Sequence, residues 1–125
     1  MEIKATGMVW IGRVISLLST AMFFLSAYFK IAGGPELEAG FEHLGLPLSM
    51  ARGLAVLELS CVIIYLVPQT AVLGAVLLTG YLGGAMCTHL RVGDPVYVHV
   101  LLGGFIWLGI YLREDRLRAL LPIRR

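Results

Sequence analysis

The chain has 125 residues, a length that suits one domain, and is 58% hydrophobic but only 14% charged, with mean hydropathy +0.86. A soluble domain carries about 25% charged residues, so these charges are too few to cover a globular surface. The net charge is only +2, and no basic face is interleaved with aromatics, which speaks against a nucleic-acid partner. The expectation is a single integral membrane domain over 1–125: all-α, with four transmembrane helices, a short amphipathic helix between spans one and two, and the lipid bilayer as its main surrounding partner.

The first span is expected from about Met8 to Phe29, after a short polar start at residues 1–7. Lys4 followed by an apolar run resembles a signal sequence, but no A-x-A site closes the run and further spans follow, so it reads as a retained helix. Arg13 lies near one end of that span, where its long side chain can snorkel to the headgroups. Lys30 stands at the other end. Gly33, Gly34 and Pro35 stop the span, and Pro35 suits the first turn of a short helix with Glu36 and Glu38 at its positive end. Leu37, Phe41 and Leu44 are spaced to share one face of it, and Gly45 and Pro47 end it. Spans two and three are expected at about 49–67 and 70–90, joined by the very short Pro68-Gln69-Thr70, and therefore form an antiparallel hairpin. Arg91-Val92-Gly93-Asp94-Pro95 is a loop signal. Span four follows at about 96–112, and residues 113–125 form a basic tail.

Four spans put both termini on one side. Lys4, Arg13, Arg113, Arg116, Arg118, Arg124 and Arg125 lie there, while Lys30, Arg52 and Arg91 lie opposite. The excess predicts cytoplasmic termini and tail, with loops 30–48 and 91–95 outside.

Glu58 lies within span two. Counted inward at ~1.5 Å per residue, it sits roughly 12 Å below the outer face, level with Gly83 and Gly84 on span three and with Gly103 and Gly104 on span four. Two readings follow. Small residues allow close helix packing, or the missing side chains leave a pocket beside the acid. A carboxylate at that depth is costly and must be paired, protonated or facing a polar cavity, so both readings turn Glu58 inward. Tyr81, Gly84, Thr88 and Arg91 fall on one side of span three, and both hydroxyls can donate to a carboxylate. Glu58, Tyr81, Gly83, Gly84, Thr88 and Gly103 are the candidate pocket residues. Lys30, His43, His89, Arg91, Asp94 and His99 form a candidate outer mouth, with an Arg91–Asp94 pair closing the turn. The three histidines match no local metal motif, so no metal ligands are assigned. Cys61 and Cys87 differ by roughly 10 Å in depth, which argues against a disulfide.

These motifs form a pattern. The run GYLGGAMCTHLRVGDP, the preceding LELSCVIIYLVPQTAVLGAVLLTG and the earlier FKIAGGPELEAGFEHLGLP resemble the DoxX-like family of small bacterial membrane proteins. The resemblance covers nearly the whole chain. It implies four transmembrane helices in a bacterial inner membrane, and by family analogy it implies the company of a quinone or a redox enzyme. It draws attention to Pro47 and Pro95 besides the pocket and mouth residues. Three functions are compatible with this sequence. The first is a subunit that binds a lipophilic small molecule, with a quinone as the cofactor suggested by analogy, and docks a redox-enzyme partner. The second is a small membrane enzyme using Glu58 and His89 for acid–base chemistry, although no catalytic residue is assigned. The third is a structural assembly subunit or homo-oligomer whose polar residues only join helices.

Overall fold

Gly33-Gly34-Pro35, Gly45 to Pro47, Pro68 and Gly93 to Pro95 stand at breaks between the helices. The computed structural model describes residues 2–125, with side chains from residue 6 onward. The side chain of Lys4, counted above on the N-terminal side, lies outside that description. Helix α1 spans Glu2–Ala32, α2 Pro35–Leu44, α3 Ala51–Leu66, α4 Ala71–Leu90, α5 Tyr97–Arg113 and α6 Asp115–Leu120, and no strand occurs among the described residues. Three stretches are long and apolar enough to cross a membrane, Thr6–Ala32, Leu48–Leu66 and Pro68–Leu90; α5 is apolar and shorter. Its 17 residues reach the lower bound for a span. Helix α1 begins before the expected Met8, because no glycine or proline interrupts residues 2–6 and a helix can continue past the apolar edge into the headgroup region.

The four long helices form a ring in the order α1, α3, α4, α5 and back to α1. Large apolar side chains such as Trp10, Leu18, Ile63 and Leu101 point outward. The interior of α1 is instead mostly small or hydroxylated: Ser16, Ser19, Thr20 and Ala27 are buried, with Phe23 the one large side chain among them. With lipid outside, apolar side chains gain little by turning inward, and small residues let backbones approach. The hydroxyls of Ser16, Ser19 and Thr20 donate to carbonyls one turn back at 2.7–2.9 Å, which satisfies them in a setting without water.

The end of the bundle that holds the termini and the α3–α4 hairpin is tightly closed. A Cβ on Gly74 would lie 2.3 Å from the Tyr65 backbone, and one on Gly12 would lie 2.7 Å from the Gly109 carbonyl oxygen. Tyr65 is fully buried between these contacts. Its hydroxyl donates to the Ile106 carbonyl at 2.6 Å and meets Ser16 Oγ at 3.1 Å. The Arg113 guanidinium lies 4.9 Å over its ring and donates to its carbonyl at 3.2 Å. Four helices are thereby tied through one side chain and its neighbours.

The opposite end is covered by α2. Pro35 occupies its first turn, and Gly45 ends it with φ 72°. Gly45 N–H donates to the Glu42 carbonyl and Leu46 N–H to that of Phe41, the paired closure that a left-handed glycine permits. Phe41 is buried, so the expected apolar face of α2 does turn toward the bundle.

Candidate functional site: a cavity under α2

Because the helices are fastened at the hairpin end, space remains at the other. A cavity of about 800 Å³ lies there, bounded by α1, α2, α3, α4 and α5. That is within the range of small-molecule sites. Its wall is mainly apolar, including Phe23, Leu37, Phe41, Leu54 and Leu102. Leu57 and Leu77 line it and are also exposed on the outside of α3 and α4, so the cavity reaches the lipid-facing surface there.

Two polar groups interrupt this wall. The deeper one is built on Glu58, which is 2% exposed. Lys30 Nζ donates to Glu58 Oε1 at 3.3 Å and to Ser26 Oγ at 2.5 Å. Ser26 and Lys30 are four residues apart and share one face of α1, which turns the lysine down along its own helix to the acid. Lys30, expected at the mouth, therefore belongs to the deeper group, and its side chain is only 15% exposed. The Tyr81 hydroxyl neighbours the carboxylate, and the Tyr81 ring packs edge-on against Phe23 at 6.4 Å.

The second group lies beside the α4–α5 turn. Asp94 Oδ1 accepts from His43 Nε2 at 2.8 Å, and Asp94 Oδ2 accepts from His89 Nδ1 at 2.9 Å. These bonds, from His43 first and then His89, hold the Asp94 carboxyl below the ordinary aspartate value. The His89 and His99 rings lie 4.8 Å apart. The expected Arg91–Asp94 pair does not form. Arg91 donates to the Leu44 carbonyl at the end of α2, because the turn at Gly93, φ 81°, brings Asp94 back toward α4 and its imidazole. Arg91 and Asp94 therefore both tie α2 to this turn.

Other sequence candidates are distributed differently. Gly84 and Thr88 line the cavity, and the Thr88 hydroxyl donates to the Gly84 carbonyl at 2.8 Å rather than to Glu58. Gly83 and Gly103 are not on its wall. Gly83 has no neighbour where a Cβ would point, while a Cβ on Gly103 would touch Leu82 at 3.5 Å. Cys61 is buried on the wall and Cys87 is exposed; both are free. Among the described residues, no group of His, Cys, Asp and Glu is arranged to hold a metal ion. Sequence reasoning missed Ser26 and the Lys30–Glu58 contact. The one available signal was the i, i+4 spacing of Ser26 and Lys30.

The sequence model of the DoxX-like family matches residues 14–110, which takes in all of these cavity groups. This chain belongs to the DoxX-like family. The matched region begins inside α1 and ends near the close of α5, so it contains the ring of four helices and α2. Family membership and the apolar helices together make this a membrane protein. Neither the curated proteins nor the solved structures yielded a match to this DoxX-like chain.

Proposed function

We propose that this DoxX-like protein is a binding subunit for a lipophilic molecule with a polar head, of which a quinone is the first to test. One observation carries the reading: a buried Lys30–Glu58 pair stands on the wall of an apolar cavity large enough for such a molecule. Taking two charges out of water costs several kcal/mol per ion, roughly, and an apolar pair of similar volume holds a bundle at least as well. Charges kept at membrane depth usually serve a ligand or ion path. Here the Lys30 ammonium and the Tyr81 hydroxyl supply donors for a carbonyl oxygen, and Glu58 supplies an acceptor. The gap beside Leu57 and Leu77 gives an apolar tail a way in from the lipid. In this reading the chain lies in a bacterial inner membrane with both termini cytoplasmic, and it works beside a redox enzyme or as a homo-oligomer.

The test is titration of short-chain and long-chain quinones into protein reconstituted in nanodiscs. Saturable binding that weakens at least tenfold in Glu58→Ala supports the reading. No saturable binding, or equal affinity in Glu58→Ala, removes it. A cross-linking experiment in native membranes then asks which redox enzyme, if any, lies beside the chain.

A further inference from the structure

The polar group at the α4–α5 turn is not used by the reading above. It lies on the same cavity as Glu58, but His89 is eight residues beyond Tyr81 on α4, which places it ~12 Å further along the helix axis. The two polar groups are thus separate ends of one apolar space.

The chemistry of this end follows from its bonds. A carboxylate only accepts hydrogen bonds, so the proton shared between His89 and Asp94 belongs to His89 Nδ1. That fixes the tautomer: in the neutral ring, Nε2 carries the lone pair. No hydrogen bond engages Nε2 among the described residues, and His89 lines the cavity. His99 stands beside it on the same wall, and its buried Nδ1 has no hydrogen-bond partner. A buried ring nitrogen without a partner is uncommon and calls for an explanation. His43, with its side chain 56% exposed, holds the other oxygen of Asp94 from the water side. The remaining charged or titratable groups on this space are Lys30, Glu36, Glu58, Cys61 and Tyr81. Lys30 and Glu58 engage each other, and Arg91 is turned to the α2 carbonyl.

We propose that the His89–His99 end is a site for a weakly acidic hydroxyl on a lipophile, a phenol-type head, with His89 Nε2 as the proton acceptor and Asp94 as the residue that positions it. On binding, the ligand O–H bond breaks and an N–H bond forms at Nε2. The electron pair stays on the ligand oxygen, and no electrons are exchanged between molecules. The new imidazolium lies between the phenolate and the Asp94 carboxylate, which offsets its charge. The apolar body of the ligand extends toward the deeper part of the cavity.

The experiment uses the full chain in nanodiscs and a long-chain alkyl nitrophenol, whose phenol and phenolate forms differ in colour, with its methyl ether as the control. An opposite charge within a few ångströms favours an ionised group by about tenfold or more. The expected result is therefore roughly tenfold more phenolate in the protein than in empty nanodiscs at the same pH. His89→Gln, which can still donate to Asp94 but cannot take the proton, abolishes that excess while the ether binds as before. Asp94→Asn reduces the excess without changing ether affinity, which a purely structural role for Asp94 would not produce. Gly83→Ala, a change on α4 away from the cavity wall, leaves it intact. A dye that ionises as it does in empty nanodiscs overturns the proposal, as does an excess that survives His89→Gln or disappears in Gly83→Ala. The quinone titration decides the deeper site separately, so either reading can fail without the other.

Discussion

The Lys30–Glu58 pair makes an asymmetric prediction for stability. Glu58 has 3% side-chain exposure and Lys30 15%, with 3.3 Å between their charged atoms. Breaking a buried pair from one side typically costs about 3–5 kcal/mol. The two halves are not equivalent here. Lys30→Met leaves a short carboxylate that cannot reach the headgroups, so the cost is expected at the low end of that range, about 3 kcal/mol. Glu58→Gln leaves a long lysine that can snorkel outward or donate to the new amide, so its cost is expected to be only about 1 kcal/mol. The double variant removes both charges and should cost about 2 kcal/mol, which gives a coupling of about 2 kcal/mol between the sites. The assay is reversible unfolding in mixed micelles of increasing denaturing-detergent fraction, followed by Trp107, whose indole N–H donates to Thr79 Oγ1 at 2.7 Å within the bundle. Single costs that are equal and add in the double variant to within about 0.5 kcal/mol would refute the argument.

Four further outcomes follow from the geometry. Gly74→Ala places a Cβ 2.3 Å from Tyr65 backbone atoms and should destabilise the hairpin by about 1–3 kcal/mol or more. Gly83→Ala meets nothing within 4 Å and should be neutral or stabilise by up to about 1 kcal/mol. The same unfolding assay ranks the two, and a reversed order contradicts the packing described. Tyr65→Phe removes the hydroxyl shared by Ile106 and Ser16 and should cost about 1 kcal/mol, read as a lower melting temperature in detergent. Asp94 has a carboxyl held below its ordinary value. Its contribution to α2 docking is therefore present above the unfolded-state value and is lost as pH falls through the lower folded-state value. Hydrogen exchange of the α2 amides should speed up in that acid range, and Asp94→Asn should flatten the dependence; an unchanged acid response in the variant would contradict this.

Much of the helical plan was legible in the residues, and the reason is physical. Within a bilayer every backbone polar group must be paired internally, so a long apolar run has little choice but helix. Glycine and proline then mark where the helices stop, as Gly33-Gly34-Pro35, Gly45 and the Pro68 hairpin do. The inward turn of Glu58 was legible too, since a carboxylate cannot profitably face lipid. What the carboxylate meets was not legible. Lys30 is 28 residues away in the chain, and its reach depends on how α1 is rotated and shifted against α3, a matter of packing at Gly12, Ser16 and Tyr65 rather than of local pattern. The same holds at the turn. Sequence proximity suggested Arg91 for Asp94, whereas Asp94 takes His43 from α2 and His89 from α4, and Arg91 takes the Leu44 carbonyl. Residue pattern alone was enough for an all-helical membrane chain with an acid turned inward. Helix packing was needed to close the bundle at one end on Tyr65 and to leave, under α2 at the other, an apolar space with two polar ends. Helix formation is a local requirement of the backbone, but a cavity depends on the relative placement of five helices.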